Sequence, residues 1–277
     1  MCGMPFSGVV EGIPYSLSRY TDLPASKWGW FQACLASGKM VAFDPRTLAP
    51  GVWSLRPEDT LSLVFWTKNP TNLIQSKKAL APYDVTIHMT ATGWHEVEKG
   101  APSLQDAGKL LIDTTRAFTK VHWRFSPVPL LPAPELFRRF QRLLAYAEIA
   151  GLKQVFLSFL QPNDRNLETR GATERFDILN TLSAEAKEFG IGVVLCGDDT
   201  TLEAFRGPQF ELGACVPQQD FRGTLHLETC GCVQMADPFT TNESCCFGCT
   251  YCYAADKKDA PRKRNTIRRL EVVRDGV

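Results

Sequence analysis

Short apolar runs alternate with longer amphipathic stretches along most of the chain. The run at residues 63–66 has no polar interruption, which is typical of a parallel strand covered on both faces. Six strands are predicted in this way, at residues 14–18, 63–66, 85–90, 121–125, 155–160 and 193–196.

Amphipathic stretches with helical periodicity follow several of these strands. They predict helices at residues 25–37, 103–119, 134–150 and 173–189. Ser103 is a suitable N-cap, and Gly38, Gly151 and Gly190 stand where helices end. We therefore expect an α/β fold, a (β/α) barrel or partial barrel of about six parallel strand–helix units. Right-handed crossovers also allow a doubly wound sheet.

The pattern changes near residue 207, where helical periodicity is lost and Gly, Cys and Thr become frequent. We predict a barrel-like domain over residues 1–207 and a basic tail over residues 257–277. Between them, residues 208–256 form an irregular, Cys-rich segment that we expect to hold a metal cluster and to fold over the barrel mouth. Its apolar content is low, and a bound metal would stabilise it.

Composition narrows the class of protein. The chain has 277 residues, 44% of them hydrophobic and 22% charged, with a net charge of +1, which is ordinary for a globular protein. The balanced charge gives no overall attraction to nucleic acid or to a membrane. No apolar run approaches the roughly 18 residues of a membrane span, and no secretion signal is visible. We expect a cytoplasmic protein without a membrane partner.

Polar side chains follow the predicted strands, where parallel α/β folds collect their functional residues. Arg19, Lys68 and Arg124 would converge on one mouth and bind a carboxylate or phosphate group of a cofactor or substrate. Asp22 and Asp198 would balance these cations or bind a ribose hydroxyl. Arg19, Asp22, Lys68 and Arg124 are the candidate catalytic residues. The candidate cofactor contacts are Thr21, Trp66, Thr67, Asn69, Thr90, Ser158, Asp198 and Tyr251.

Six of the ten cysteines fall between residues 230 and 252. In a reducing compartment such a cluster indicates metal ligands or catalysis. Cys245, Cys249 and Cys252 form C-x3-C-x2-C, and three thiolates on one short loop suit three irons of a [4Fe–4S] cluster. The fourth iron would stay open, an arrangement that binds and reductively cleaves S-adenosylmethionine. Cys246, Cys249 and Cys252 are an alternative trio, and a structural zinc site is an alternative use of these thiols.

The motif, with an aromatic residue before its last Cys, resembles the signature of the radical S-adenosylmethionine superfamily. The chain as a whole resembles the bacterial family called domain of unknown function 1848, from about residue 13 to 256. The segments that carry this resemblance are residues 18–24, 65–70, 123–127 and the late block 230–254. The superfamily spacing implies Cys245 as the first ligand. This chain departs from the expected patterns in three ways. The family usually has Asp where Ser126 stands and a residue other than Cys where Cys246 stands. The Cys motif also lies near the C-terminus, whereas most radical S-adenosylmethionine enzymes have it after the first strand.

The family resemblance also implies a second group of thiols. Cys196, Cys215, Cys230 and Cys232 match positions where the family tends to have Cys. Four thiolates suit a second iron–sulfur cluster or a zinc ion. Alternatively, Cys196 is a small core residue and Cys215 is incidental.

Residues 257–269 carry seven cations and one acid. This stretch is either a solvated tail or a contact for nucleic acid, a partner or an anionic substrate. The function these features predict is a radical S-adenosylmethionine-type enzyme with an external electron donor and an unidentified substrate, a small molecule or a nucleic-acid derivative. The alternatives are a metal-stapled module for nucleic-acid binding or repair, and an iron–sulfur electron carrier.

Overall fold

The computed structural model describes residues 14–18, 21–43, 50–160, 170–196, 210–214, 216, 232, 235–238 and 245–252. The strands within these ranges are β1 (Tyr15–Ser16), β2 (Lys39–Phe43), β3 (Pro50–Ser54), β4 (Leu63–Thr67), β5 (Val85–Thr90), β6 (Lys120–Phe125), β7 (Gln154–Leu157), β8 (Gly192–Leu195) and β9 (Glu211–Leu212). The helices are α1 (Leu23–Ser26), α2 (Trp28–Ser37), α3 (Thr71–Gln75), α4 (Lys77–Leu80), α5 (Leu104–Ala117), α6 (Ala133–Ile149) and α7 (Ala172–Glu188).

Seven of the strands form one parallel sheet in the order β1-β4-β5-β6-β7-β8-β9. A further segment lies beside β1, where Ser16 N donates to Ala236 O at 2.8 Å and Ala236 N donates to Pro14 O at 3.0 Å. Within the described ranges no ladder joins β9 to Ala236. A parallel sheet covered by helices makes this an α/β fold, which confirms the predicted class of a barrel or partial barrel of strand–helix units. Strands β2 and β3 form a separate antiparallel hairpin.

Most of the predicted elements are present, with different bounds. The helix predicted at 25–37 is two helices, because Lys27 has φ −136° and interrupts the turn between them. The strand predicted at 155–160 ends at Leu157. The sequence pattern missed the β2–β3 hairpin, α3, α4 and β9. Strand β9 lies within the segment predicted at 208–256 yet pairs with β8 in the sheet, and the division of the chain at residue 207 stays a prediction.

Alternation along the strands gives the sheet two different faces. Leu63, Phe65 and Ile87 belong to the large core between the sheet and the helices. The opposite side, here called the inner face, carries Val64 and Phe156. This smaller cluster also contains Val194, Cys196, Val216, Cys232 and Met235.

Helix boundaries follow the expected signals. The Ser103 side chain accepts a hydrogen bond from Asp106 N and so caps α5. Gly38, Gly151 and Gly190, which follow α2, α6 and α7, have positive φ angles. In the described part of the chain, no helix combines the length and the apolar character required to cross a membrane.

Helices α5 and α6 approach closely at Gly108. A Cβ atom placed on Gly108 would lie 2.2 Å from Cδ2 and 2.4 Å from Cγ of Tyr146. Because the contact involves the base of the ring as well as its edge, a small rotation of Tyr146 would not relieve it. Glycine is unfavourable inside a helix, so its presence here is explained by this close approach.

We predict that Gly108→Ala lowers the free energy of unfolding by about 1–3 kcal/mol, because the added methyl group overpacks the α5–α6 contact. The matched control is Gly29→Ala in α2, where nothing lies within 4 Å of the new Cβ. This control should instead gain about 0.4–1 kcal/mol from the reduced freedom of the unfolded chain. Urea denaturation of both variants measures the difference, and equal effects would contradict the packing explanation.

Candidate functional site

Asp22 caps the start of α1 and joins it to the end of β4. Its Oδ1 accepts hydrogen bonds from Ala25 N at 3.1 Å and from Thr67 Oγ1 at 2.8 Å, and its Oδ2 accepts from Lys68 N at 2.7 Å. Burial raises the pKa of this carboxyl to about 6, although the hydrogen bonds act in the opposite direction. Three protein donors thus occupy the carboxylate that was predicted to balance cations or to bind a ribose.

Thr67 and Asn69 shape the turn that follows β4. Asn69 N donates to Thr67 Oγ1 at 3.0 Å, and Asn69 Oδ1 accepts from Thr71 N at 3.1 Å and from Thr71 Oγ1 at 2.6 Å. These are the hydrogen bonds of an Asx turn that begins α3. The side chains of these two predicted cofactor contacts therefore bind the protein's own backbone and hydroxyl groups.

Lys68 forms a buried ion pair with Glu98. Its Nζ lies 2.9 Å from Glu98 Oε1, and the two side chains are only 12% and 3% exposed. Lys68 Nζ also donates to Tyr251 Oη at 3.1 Å, and the Tyr251 hydroxyl donates to Glu98 Oε1. Thr92 Oγ1 donates to Glu98 Oε2 at 2.8 Å. This Lys68–Glu98–Tyr251 network connects the end of β4, the loop after β5 and the late Cys-rich segment.

Burial, together with the negative charge of Glu98, raises the pKa of Tyr251 well above its ordinary value. The phenol therefore keeps its proton and remains a donor to the carboxylate. Glu98 in turn neutralises the Lys68 ammonium. The cation that was predicted to bind an external anion already has an internal partner.

The backbone of residues 245–252, here called the Cys loop, lies directly against the loop after β5. Gly100 N donates to Phe247 O at 3.3 Å, and Thr250 N donates to Val97 O at 3.2 Å. A Cβ on Gly100 would lie 2.2 Å from Cys246 O. Only glycine permits this approach, so the two loops meet backbone to backbone.

Two side chains, Trp94 from the loop after β5 and Ser26 from α1, complete the docking of the Cys loop. The Trp94 ring stacks on Tyr251 with centroids 5.6 Å apart and an interplanar angle of 13°. Ser26, at the end of α1, accepts from Cys246 N at 3.1 Å and donates to Cys246 Sγ at 3.5 Å. The Cys loop thus contacts α1 and the loops that follow β4 and β5, at the carboxyl edge of the sheet.

The thiols of the Cys loop differ in their exposure. Cys246 is exposed, whereas Cys245, Cys249 and Cys252 are partly buried, and all four are free of disulfides. Burial raises the pKa of Cys249 to about 11, with Lys68 acting in the opposite direction. Cys252 N donates to Cys249 O at 3.1 Å in a tight turn.

The donor set of the Cys loop fits a soft metal or an iron–sulfur cluster, because three free thiols lie on one short loop. Among the residues that the structure describes, however, no three His, Cys, Asp or Glu side chains stand in an arrangement that would hold a metal ion. The three thiols are suitable ligands for such a metal or cluster, but their side chains are not already arranged around one common point.

Arg124 lies on the inner face at the carboxyl end of β6. Its Nη2 donates to Ser126 Oγ at 3.4 Å and its Nη1 to Cys196 Sγ at 3.9 Å. The hydroxyls of Ser126 and Ser158 are hydrogen-bonded to each other. Thr90 is the register partner of Arg124 on β5. The structure therefore brings four of the predicted site residues together here, namely Thr90, Arg124, Ser158 and Cys196.

Trp66, also a predicted cofactor contact, lies one row deeper on the inner face. Its ring stacks on His88 at a centroid distance of 5.0 Å, and His88 stacks on His122 at 4.8 Å. Thr21 is buried beside Asp22, just before α1.

Two of the four cysteines of the suggested second metal site belong to one cluster. Cys196 and Cys232 are both buried among the apolar side chains of the inner face. The other two, Cys215 and Cys230, lie outside the described residues. So do Arg19, Asp198, Tyr253 and the basic stretch at residues 257–269.

Several residues that hold the Cys loop were missed by the sequence analysis, among them Thr92, Trp94 and Glu98. All three lie in the loop after β5, where no periodicity or motif distinguishes them. Glu96 and Glu98 are equivalent by sequence pattern, yet Glu96 pairs with Arg139 on α6 and Glu98 with Lys68. Only the fold tells these two acids apart.

Comparison with solved structures gives matches of low similarity. The TTHB071 protein from Thermus thermophilus, soaked with ZnCl2, is 17% identical with a TM-score of 0.34, and the match covers 53% of this chain and 62% of that one. A xylose isomerase domain protein from Planctomyces limnophilus is 12% identical with a TM-score of 0.31, over 50% of this chain and 56% of that one. A putative phosphonomutase from Burkholderia cenocepacia J2315 is 8% identical with a TM-score of 0.33, over 68% and 70%. The first two matches thus span less than two thirds of the other chain.

Comparison with curated proteins gives no match. The sequence model of the family described as Domain of unknown function (DUF1848), by contrast, matches residues 15–254. This range runs from β1 through the Cys loop and so includes both the sheet and the late thiols. The protein therefore belongs to the DUF1848 family.

Proposed function

We propose that the protein is a radical S-adenosylmethionine-type enzyme in which Cys245, Cys249 and Cys252 hold a [4Fe–4S] cluster. The observation that supports this most directly is the docking of the Cys loop by the Lys68–Glu98–Tyr251 network. The network holds the thiol-bearing loop at the carboxyl edge of the sheet, where parallel α/β folds place their reactive groups.

Cys245, Cys249 and Cys252 would hold three irons of the cluster and leave the fourth for S-adenosylmethionine, and one electron from an external donor would supply reductive cleavage of the sulfonium to methionine and a 5′-deoxyadenosyl radical for hydrogen abstraction from a substrate. Cys249 and Cys252 flank Tyr251, so the network fixes two of the three thiol positions against the sheet. The buried Trp94 ring covers one side of Tyr251. Lys68, neutralised by Glu98, acts as an anchor for the loop.

The choice between the two cysteine trios can be tested by single substitutions. We predict that Cys245→Ala loses the cluster, about four irons per chain, after anaerobic reconstitution. The matched control, Cys246→Ala, should keep the cluster, because this exposed neighbour is hydrogen-bonded to Ser26 on α1. Iron, sulfide and zinc analysis with the visible spectrum measures both. The reverse result would identify Cys246 as the ligand, and stoichiometric zinc without iron would favour the metal-stapled binding module.

The cofactor chemistry has its own test. We predict that the reconstituted, reduced protein converts S-adenosylmethionine to 5′-deoxyadenosine, detected by liquid chromatography and mass spectrometry. Adding S-adenosylmethionine should also change the electron-spin resonance spectrum of the reduced cluster. Cys245→Ala is the negative control. A full cluster with an unaltered spectrum and no 5′-deoxyadenosine would contradict the proposal and indicate an electron carrier.

The docking role of Glu98 is testable without any cofactor. We predict that Glu98→Gln costs about 3–5 kcal/mol locally, because it leaves the buried Lys68 ammonium unpaired. Amide hydrogen exchange at Phe247 to Cys252 should then become faster. Glu96→Gln is the matched control, because this acid lies on the same loop but is 51% exposed and pairs with α6. Equal exchange in the two variants would refute the docking role.

A milder variant distinguishes loss of docking from unfolding of the whole protein. Tyr251→Phe keeps the ring that stacks on Trp94 and removes only the hydroxyl that bonds to Lys68 and Glu98. Its Cys loop should exchange faster than that of the wild-type protein and more slowly than that of Glu98→Gln.

A further inference from the structure

Cys246 is the exposed thiol of the Cys loop, and a lysine follows or precedes each of the residues that contact its backbone. Its N–H donates to Ser26 Oγ at 3.1 Å, and Lys27 is the next residue along the chain. On the other side, a Cβ on Gly100 would lie 2.2 Å from Cys246 O, and Lys99 directly precedes this glycine. Positive charge therefore flanks the exposed part of the Cys loop.

Two further lysines extend the positive charge on the α1 side. Trp28 Nε1 donates to Ser76 Oγ at 2.9 Å, and this bond joins the start of α2 to the start of α4. Lys27 directly precedes Trp28, and the two lysines of α4 directly follow Ser76. We call the whole set the lysine surface, which consists of Lys27, Lys77, Lys78 and Lys99. Lys27 is partly exposed and the other three are exposed.

The charges of the lysine surface are not neutralised within the part of the chain that the structure describes. There, none of the four ammonium groups has an ion pair or a hydrogen bond. The exposed acids that precede and follow Lys99 along the chain have other partners, since Glu96 pairs with Arg139 and Asp106 lies 3.8 Å from Lys109. The surface therefore presents unbalanced positive charge, although the net charge of the whole chain is only +1.

The composition of this surface favours an acidic protein as its partner. All four cations are lysines, whose compact and hydrated charges attract a partner over distance, whereas arginine is the usual residue for phosphate and nucleic-acid recognition. Trp30, on the first turn of α2, is 36% exposed and adds a large aromatic side chain of the kind enriched at protein interfaces. Positive charge with an exposed aromatic ring thus fits an acidic protein better than nucleic acid.

We infer that the lysine surface docks an acidic electron-transfer protein, the external electron donor of the proposed reaction. The inference rests on the proposed function in one respect, which is that the Cys loop carries the cluster that accepts the electron. The docked partner loses one electron and the oxidised cluster gains it, so no proton or chemical group moves between the two proteins. Because the lysine surface flanks Cys246, a partner held there approaches the cluster from the exposed side of the Cys loop. Electron-transfer encounters bury little area and depend on complementary charge for their rate.

The first test measures binding by the full chain without iron, because the Lys68–Glu98–Tyr251 network holds the Cys loop through the protein's own side chains. The probes are an acidic plant-type ferredoxin and an acidic flavodoxin, measured by surface plasmon resonance at rising NaCl concentration. We expect at least one probe to bind, with an affinity that falls as salt screens the charges. The double variant Lys27→Gln, Lys99→Gln should weaken this binding about 3- to 30-fold, because each exposed charge pair contributes a modest amount.

The double variant Lys153→Gln, Lys187→Gln is the matched control. These exposed lysines lie just before β7 and at the end of α7, so the same charge is removed at the amino edge of the sheet, opposite the Cys loop. Binding should change less than about twofold. Equal weakening in the control, or no salt-dependent binding of either probe, would overturn the inference. So would binding of a DNA or RNA oligonucleotide, in place of the two proteins, that is lost in Lys27→Gln, Lys99→Gln.

The second test uses the cluster-loaded protein and measures electron transfer by stopped-flow absorbance. The probe that binds, in its reduced state, should reduce the cluster about 3- to 30-fold more slowly in Lys27→Gln, Lys99→Gln than in the wild-type protein. Reduction by dithionite, which needs no docking, should change much less. An equal loss with both reductants would contradict the docking role. Binding of either probe to a chain that takes up no cluster would refute the proposed function alone, so the two failures are distinguishable.

Discussion

The pairing of a buried ammonium with a buried carboxylate joins the carboxyl edge of the sheet to the Cys loop. Lys68 and Glu98 are both removed from solvent, and neither charge is tolerable there without the other. Tyr251 bonds to both and so makes the position of the Cys loop dependent on an ion pair between β4 and the loop after β5. The Cys loop has few apolar side chains of its own. It is held in position by the charged side chains of Lys68 and Glu98, which follow β4 and β5.

Sequence patterns predicted the elements that are long enough to show a period. The strands at β4, β5 and β6 and the helices α5, α6 and α7 were all predicted, because several residues alternate or repeat in each. Strand β9 has two residues and α3 and α4 have five and four, too few for any period. The motif spacing identified the Cys loop. Glu98 could not be identified, because its partner lies thirty positions away and only the β4–β5 register brings them together.

The inner face shows how one sheet serves packing and chemistry together. Its apolar side chains pack together around Phe156 and Cys232. The row above the stacked rings instead contains the Arg124 guanidinium and the Ser126 hydroxyl. The opposite face packs its apolar side chains against the helices in the main core. The polar row at Arg124 therefore lies on the face of the sheet opposite the main core.

The contact between β1 and Ala236 has a consequence for biosynthesis. Strand β1 leaves the ribosome early, but the neighbour that covers its outer edge is made more than two hundred residues later. At ordinary translation rates this leaves the edge bare for about 10–40 s in each nascent chain. An uncovered strand edge is a template for wrong pairing, so the yield of folded protein should depend on chaperone supply during that interval.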